Sequence, residues 1–395
     1  MNWCALYIEQ FEGSTSIIRV DARKKLDIER NRLYNIDRQY NSTRLLEWTI
    51  AMPRGRPKGS TNKKSTQAEA LQTALDFVAC AENDLYEYGG FVNLTDNKAV
   101  VFSNQLSAGH PIEEELTLIP HLHKLRSAIA KCGKSLAITE TENKQLSIKG
   151  DKLRAVVPCW NDMLPATEPD EAVVQGDFEI LKEAFKVCST LANENADKVH
   201  LTSLLLDPNS CTATNGAAII QYWHGIALPA GIVVSKLFAT AVMKQKLKIV
   251  GLGATIDISG ITSSFTVWFE NGAWIKTQCY EDRWPDIGPV INKETTPIPT
   301  PAELVEGIEA VSDFTDNGVI TFTNGSVNSH DNPSLGAQYE VKDLECEKRF
   351  TYRLISQVAP WMNKVDLTTY PDRIFFYGGE ASNPIRGCVM AMGLV

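Results

Sequence analysis

The sequence lacks the segments that carry a protein into or across a membrane. Its 395 residues contain no run of 18 or more apolar residues, so no membrane-spanning helix is predicted. The N-terminus has no basic stretch followed by an apolar core, which argues against a secretory signal. We therefore expect a cytoplasmic protein that does not bind membranes.

Clustered metal ligands and catalytic motifs are also missing. The nine cysteines include no Cys-x-x-Cys pair, and the six histidines are scattered apart from His121 and His123. We expect reduced, mostly buried cysteines, no metal site and no cofactor. There is no glycine-rich phosphate loop and no Ser-His-Asp or Cys-His arrangement in a supporting motif, which predicts a non-catalytic protein.

What the chain does contain is a long-period repeat. Residues 159–165 read CWNDMLP and residues 279–285 read CYEDRWP, 120 residues apart, and a further 120 residues lead just past Val395. A fixed long period indicates repeated structural units. We predict three copies of one module, in which Asp162 and Asp282 are turn residues rather than a catalytic pair.

Each predicted module has an amphipathic helix, strands, a second helix and more strands. The second helices are expected near residues 122–132, from Pro229 to about Lys244, and from Phe350 to Met362. Two helices and roughly eight strands per module predict an α+β fold, with antiparallel sheet and the helices on one face. The expected modules are 68–172, 173–298 and 299–395, after an N-terminal extension, 1–67.

The extension contains a basic arm at residues 53–64, PRGRPKGSTNKK, with five basic residues and no acidic one. Its core, including Arg54, Arg56 and Lys58, resembles an AT-hook, whose arginines enter a narrow A/T-rich minor groove. A solvated basic tail without sequence preference is the alternative. Residues 1–51 resemble none of the modules, and a translation start at Met52 remains open.

Four short stretches on this repeat resemble the bacterial sliding clamp, the beta subunit of DNA polymerase III. They are ATNG at 213–216, LP at 228–229, YEDRWPD at 280–286 and VMAMGL at 389–394. The resemblance covers residues 68–395. Departures include Ala391 in place of proline, Gly393 in place of arginine and one extra residue, Val395. This divergence indicates a clamp of a phage or mobile element.

The resemblance implies a ring-forming homodimer that encircles duplex DNA without sequence preference and tethers a DNA polymerase. It also implies an apolar groove between modules 2 and 3 for short linear motifs of the polymerase and the clamp loader. Methionines suit such a surface because they repack easily. The corresponding residues are Leu201, Thr214, Gly216, Ile219, Pro229, Val233, Tyr352, Met390 and Met392. Core positions, or the buried face of the last strand, are the alternative.

A ring around DNA requires a basic pore, which the helices would line, and this would reconcile DNA binding with a net charge of −9. Four helices can carry a basic face, through Lys124 and Lys131, Lys182 and Lys186, Lys236 and Lys244, and Arg349 and Arg353. The helices at 68–80 and 301–311 cannot. Ordinary solvated faces are one alternative for these cations. The alternative function is an AT-hook architectural or regulatory DNA-binding protein with a β-rich body.

Overall fold

The computed structural model describes residues 67–393 apart from 84, 134, 166 and 316. The basic arm with Arg54, Arg56 and Lys58 lies outside the described residues, as do residues 1–51 and Leu394. The described chain is a succession of three similar α+β modules, so the predicted fold class is confirmed.

Module 1 begins with a helix whose apolar side chains Leu71, Leu75 and Val78 are spaced to fall on one buried face. A turn at Asp96 and Asn97, both with positive φ, joins its first two strands. Its elements are α1 (Gln67–Val78), β1 (Asn93–Thr95), β2 (Lys98–Ser103), β3 (Leu106–Pro111), α2 (Leu122–Ala130), β4 (Ala137–Glu140), β5 (Leu146–Lys149) and β6 (Arg154–Val157).

Module 2 has the same order of elements, with longer strands. Leu181, Phe185 and Cys188 form the buried stripe of its first helix. Its elements are β7 (Ala172–Gln175), α3 (Ile180–Ser189), α4 (Val199–Thr202), β8 (Ser203–Asp207), β9 (Ser210–Thr214), β10 (Ala218–Trp223), β11 (Ile232–Ser235), α5 (Lys236–Met243), β12 (Ile249–Ile256), β13 (Thr262–Phe269), β14 (Trp274–Gln278) and α6 (Gly288–Ile291).

Module 3 repeats the order once more, with short 3₁₀ turns at Pro333–Leu335 and Ala359–Trp361. Its elements are β15 (Ile298–Pro299), α7 (Leu304–Ser312), β16 (Val319–Thr323), β17 (Ser326–Asn328), β18 (Gln338–Glu340), β19 (Lys348–Thr351), α8 (Tyr352–Val358), β20 (Lys364–Asp366), β21 (Arg373–Gly379) and β22 (Pro384–Met390). The two main helices of each module pack against each other.

Two sheets cross the module boundaries. A seven-stranded sheet has the order β1-β2-β3-β14-β13-β12-β7, and an eight-stranded sheet has the order β11-β8-β9-β10-β22-β21-β20-β15. In both, the third strand after the first long helix of one module pairs antiparallel with the last strand of the next module. These pairs are β3 with β14 and β10 with β22. Smaller sheets, β4-β5-β6 and β18-β17-β16-β19, lie in modules 1 and 3.

The linkers between the modules also become strands. β7 pairs with β12, and β15 pairs with β20. The boundaries expected after residues 172 and 298 therefore cut through two short strands, each of which belongs to the sheet of the module that follows.

One backbone hydrogen bond marks the same place in all three modules. The N–H groups of Trp160, Tyr280 and Met392 donate to the carbonyl oxygens of Ile119, Val233 and Arg349, each shortly before the second helix of its module. Cys159 and Cys279 directly precede the first two donors, and Ala391 precedes the third. The third copy is thus shorter than the expected 120 residues, and it has alanine where the others have cysteine.

Two expected helix starts are wrong. Pro229 does not open a helix: it lies in the loop before β11, and Ser235 caps the helix by accepting a hydrogen bond from the Phe238 N–H at 3.1 Å. The second helix of module 3, α8, starts at Tyr352 instead of Phe350 and ends at Val358. Arg349 therefore lies on strand β19, and it does not share a helical face with Arg353.

Candidate functional site

The tight turn between β9 and β10 is built by side-chain hydrogen bonds to the backbone. Thr214 Oγ1 donates to the Ala218 carbonyl at 2.7 Å, and Asn215 Oδ1 accepts from two N–H groups at 2.8 and 3.0 Å. Gly216 has φ of +88°, and a Cβ there would lie 3.6 Å from Leu201 Cδ2. Threonine, asparagine and glycine are therefore required by the turn itself, and Leu201 contacts its tip.

The C-terminal strand runs alongside this turn. The Met390 N–H donates to the Ala217 carbonyl at 2.8 Å, and Ile219 lies opposite Cys388 in the ladder between β10 and β22. Met392 is 42% exposed, and its sulfur lies 3.8 Å from Thr351 Oγ1. The structure thus brings together Leu201, Thr214, Gly216, Ile219, Met390 and Met392, all at the boundary of modules 2 and 3.

A cavity of about 470 Å³ opens at this boundary, between the turn, the end of α3 and the start of α8. Asn215 and Ala217 line it on one side and Arg353 and Leu354 on the other, while Lys236 lies at the start of α5. Most of the remaining lining side chains are also polar. This cavity is therefore not the apolar groove that we expected. Lys236 and Arg353, which we expected in a DNA pore, are part of its wall.

Three expected groove residues lie elsewhere or at the margin. Val233 is buried in β11 and lines a separate cleft of about 570 Å³ beside Tyr280 and Trp284. Pro229 stands in the loop before β11, and Tyr352, half buried, is the first residue of α8. The expectation for Pro229 relied on a helix that begins seven residues too early.

The cations expected on the helices fall into two groups. Three are held by the fold: Lys182 by Glu179 and the Leu247 carbonyl, Lys236 by the Ala192 carbonyl, and Arg349 by Asp331 at 3.3 Å. Five are exposed, on four different helices or at their ends: Lys124, Lys131, Lys186, Lys244 and Arg353. The exposed group can meet phosphates, although Lys186 also forms an ion pair with Glu183 at 3.2 Å, whereas the other three cations are engaged by partners within the fold.

Sequence reasoning missed Ser235 and the polar wall of the cavity. A serine immediately before an apolar-periodic segment is a recognised helix start, and Ser235 precedes such a segment. The wall could not have been found in this way, because its residues come from the segment after α3, the turn, α5 and α8, which only the tertiary fold brings together.

No arrangement of His, Cys, Asp and Glu suited to a metal ion occurs among the described residues. Within the same part of the chain, no helix is long and apolar enough to cross a bilayer.

Three repeated modules with sheets shared across their boundaries define the fold of a DNA clamp. Solved structures of bacterial sliding clamps have the same fold. The sliding clamp of Pseudomonas aeruginosa matches with a TM-score of 0.68 at 14% identity, covering 83% of this chain and 98% of that chain. The C. crescentus beta sliding clamp gives 0.69 at 12%, and the Helicobacter pylori beta clamp 0.65 at 14%, with the same coverage.

The chain therefore has the fold of the bacterial DNA polymerase III beta sliding clamps. No protein-family model matches the chain, and no curated protein sequence matches it.

Proposed function

We propose that this protein is a sliding clamp. Two copies close head to tail into a ring around duplex DNA, and the ring tethers a replicative DNA polymerase, which raises its processivity. The polymerase and a clamp loader bind at the boundary of modules 2 and 3 through short linear motifs. The protein itself is non-catalytic, and it acts in the cytoplasm of a bacterial or phage-infected cell.

The observation that carries the proposal is a pair of open strand edges at the two ends of the repeat. Both internal boundaries are closed by the third strand of one module and the last strand of the next. Within the described residues, the third strand of module 3 (β18) and the last strand of module 1 (β6) have no such partner. A second copy supplies both missing partners, and a heterologous contact that closes by rotation makes a ring.

The charge distribution supports encirclement without sequence preference. The exposed cations Lys124, Lys186 and Arg353 lie on the second helix of module 1, the first of module 2 and the second of module 3. Cations meeting phosphates bind any sequence and let the protein slide. α1 and α7 contain no Lys or Arg, so the grip on DNA comes from only part of the helical face.

The boundary of modules 2 and 3 supports recruitment of a peptide. Met390 and Met392 offer adaptable apolar contact, while Asn215 and Arg353 offer hydrogen bonds to a peptide backbone or a carboxylate. We expect a bound motif to combine an apolar residue at the methionines with a polar or acidic residue over the cavity.

Single-particle imaging of the purified chain tests the proposal. The expected result is closed rings with six lobes and an open centre. Compact particles without a hole, at concentrations where the chain is a stable monomer, would overturn the proposal.

The basic arm favours a second candidate function, that of an architectural DNA-binding protein. Five basic residues without an acidic one between 54 and 64 can pair with DNA phosphates in any sequence. Deleting residues 1–66 separates the two functions. A clamp keeps its ring and its polymerase stimulation, whereas an arm-driven protein loses its DNA binding.

A further inference from the structure

Module 2 carries a second cleft, separate from the cavity at its boundary with module 3. The cleft has a volume of about 570 Å³ and lies between strands β8 and β11, the turn that joins β12 to β13, and residues 280–287, which include most of the repeated signature. Neither the turn between β9 and β10 nor the C-terminal methionines line it. This recess, the module 2 cleft, is therefore distinct from the candidate site.

The floor of this cleft is apolar because side chains alternate along two paired strands. Leu205 of β8 and Val233 of β11 lie opposite each other in the ladder, and both are buried. Their neighbours along each strand belong to the main core cluster, whereas these two do not. Successive side chains of a strand point to opposite faces of the sheet. Leu205 and Val233 therefore face away from the main core and towards the cleft.

Hydrogen bonds hold both banks of the cleft in place. On one bank, the Tyr280 N–H donates to the Val233 carbonyl at 3.0 Å. On the other bank, the Asp257 carboxylate accepts from the N–H groups of Ser259 and Ile261 at 2.8 and 2.9 Å. The cleft is thus preformed in the single chain, and a preformed site loses less entropy when it binds a partner.

Apolar side chains continue from the cleft onto the turn between β12 and β13. Ile261 lines the cleft and is 42% exposed, and Ile258 at the tip of the turn is fully exposed. Scattered exposed apolar residues are normal, but apolar side chains that adjoin a cleft with a polar rim mark interaction sites. The apolar surface therefore extends beyond the floor and is accessible to a partner.

The rim of the module 2 cleft is acidic. Four carboxylates and one guanidinium line it, those of Asp207, Glu281, Asp282, Asp286 and Arg283. In the part of the chain that the structure describes, Glu281, Asp282 and Arg283 form no ion pair. An acidic rim repels the phosphates of nucleic acids and attracts cationic side chains. The charge of the rim therefore favours a basic partner and argues against DNA.

The cavity at the boundary of modules 2 and 3 has the opposite charge. Two cations, Lys236 and Arg353, and one carboxylate, Glu194, line that cavity. Complementary charges across an interface favour one partner, and like charges reject another. The two recesses therefore select segments of different charge, an acidic one at the boundary and a basic one in the module 2 cleft.

We propose that the module 2 cleft is a second docking site, for a segment of a partner protein in which lysines or arginines flank an apolar residue. The apolar residue packs on Leu205 and Val233 and against Ile261. The flanking cations pair with Glu281 and Asp282. The site lies within one module, so it does not depend on closure of the proposed ring. Because its charge preference is opposite to that of the boundary cavity, module 2 can hold two different segments at once.

A labelled model peptide tests the site on the full chain. The probe is a fluorescein-labelled hexapeptide, Lys-Lys-Ile-Val-Lys-Lys, and its two controls carry glutamates in place of the lysines or glycines in place of the apolar pair. In fluorescence anisotropy the probe should bind saturably, and both controls should bind roughly tenfold more weakly. Equal binding of the glycine control would mean that charge alone attracts the peptide. That result would overturn the site, as would the absence of saturable binding by the probe.

Substitutions on the rim and on one bank locate the bound probe. Glu281→Lys with Asp282→Lys should weaken its binding roughly tenfold, because two attractive contacts become repulsive. Ile261→Ser should weaken its binding severalfold, because an apolar contact is lost. Glu140→Lys with Glu142→Lys, on the β4–β5 hairpin of module 1, is the matched control, since both residues are exposed and the net charge changes by the same amount. An equal loss from this control would overturn the assignment.

A peptide for the boundary site separates the two recesses. A labelled clamp-binding peptide of a bacterial polymerase should keep its affinity for the variant with Glu281→Lys and Asp282→Lys, and an unlabelled excess of it should not displace the basic probe. Displacement would place the probe at the boundary site and overturn the second site. If the basic probe binds in the module 2 cleft but the chain binds no polymerase peptide and forms no rings, the proposed clamp function fails and the second site stands.

Discussion

Replacing Asp170 with asparagine should destabilise the protein more than any single surface change, because Asp170 fastens a linker to a sheet. Its carboxylate is buried between the linker that follows module 1 and strands β12 to β14. It accepts hydrogen bonds from Thr255 at 2.5 Å, from Ser264 and Thr266 at 2.8 Å each, and from Lys276 at 3.0 Å.

The magnitude follows from what the substitution leaves behind. The side chain of Lys276 is 15% exposed, and without the carboxylate its ammonium keeps only the Glu168 carbonyl among its described partners. Removing one member of a buried ion pair costs about 3–5 kcal/mol. Asparagine retains one acceptor oxygen, so we expect about 3 kcal/mol at pH 7. Asp170→Asn with Lys276→Met should cost less than the sum of the single changes.

The penalty should also depend on pH. Burial raises the pKa of Asp170, but the hydrogen bonds from Thr255, Ser264, Lys276 and Thr266 outweigh burial and hold the pKa below its ordinary value of 3.8. Since the folded pKa is depressed, the stabilisation is complete above the unfolded pKa and is lost as the pH falls through the folded one. The difference between wild type and Asp170→Asn should therefore shrink below pH 4.

Urea unfolding followed by tryptophan fluorescence, at pH 7 and at several values below 4, measures both effects. The first transition is the relevant one, because a chain of three modules need not unfold in two states. If Asp170→Asn lowers the free energy of unfolding by less than 1 kcal/mol at pH 7, or by an amount that does not depend on pH, then the ionised Asp170 carboxylate does not hold the linker to the sheet.

Two further predictions concern binding. Lys124→Ala, Lys186→Ala and Arg353→Ala together should weaken retention on DNA and flatten the plot of log affinity against log salt by about 0.9 for each phosphate that is no longer neutralised. Met390→Ala with Met392→Ala should weaken a labelled clamp-binding peptide of a bacterial polymerase roughly tenfold, in fluorescence anisotropy, while the ring stays assembled.

Each of these experiments has a matched control in the same chain. Lys342→Ala removes an exposed cation that follows β18, outside the main helices, and should leave the salt dependence unchanged. Met163→Ala removes a methionine that is 95% exposed in module 1, and should leave peptide affinity unchanged. Equal effects from control and test variants would show that neither set of residues has the assigned role.

The repeat could be predicted from sequence because its marker has a structural cause. Cys159 and Cys279 stand at the end of the last strand of their modules, immediately before the residue whose N–H binds the preceding chain. The third copy could not be recognised by this marker, because alanine, Ala391, stands where the other two copies have cysteine. All three residues are small: Cys159 and Cys279 are buried at this position, and Ala391 is half-buried.

The misplaced helix starts have local reasons. Pro229 is compatible with a first helical turn, but proline is equally at home in a loop, and the Ile232–Ser235 segment is β-branched and pairs with β8. Arg349 and Arg353 have helical spacing, yet Lys348–Thr351 pairs with β16 before the helix begins. In both cases a segment pairs with a neighbouring strand before the helix begins, and residue spacing alone does not reveal this pairing.

The candidate site could be predicted only in part. The turn residues Thr214 and Gly216 are specified by local chemistry, so their proximity to Leu201 and Met390 follows once the strands pair. The polar wall of the cavity and the sharing of sheets between modules depend on contacts between residues far apart in sequence, such as Gln221 with Arg386. No periodicity within a segment encodes such contacts.

The sheets shared across the boundaries have a consequence for assembly. Because hydrogen-bonded ladders join neighbouring modules at both internal boundaries, the angle between those modules is set during folding and not by the partner. The curvature of the three-module chain is then fixed within each copy by these ladders. In the ring that we propose, changing the contact between copies should alter how many rings exist at a given concentration, but the number of chains in each ring should stay the same.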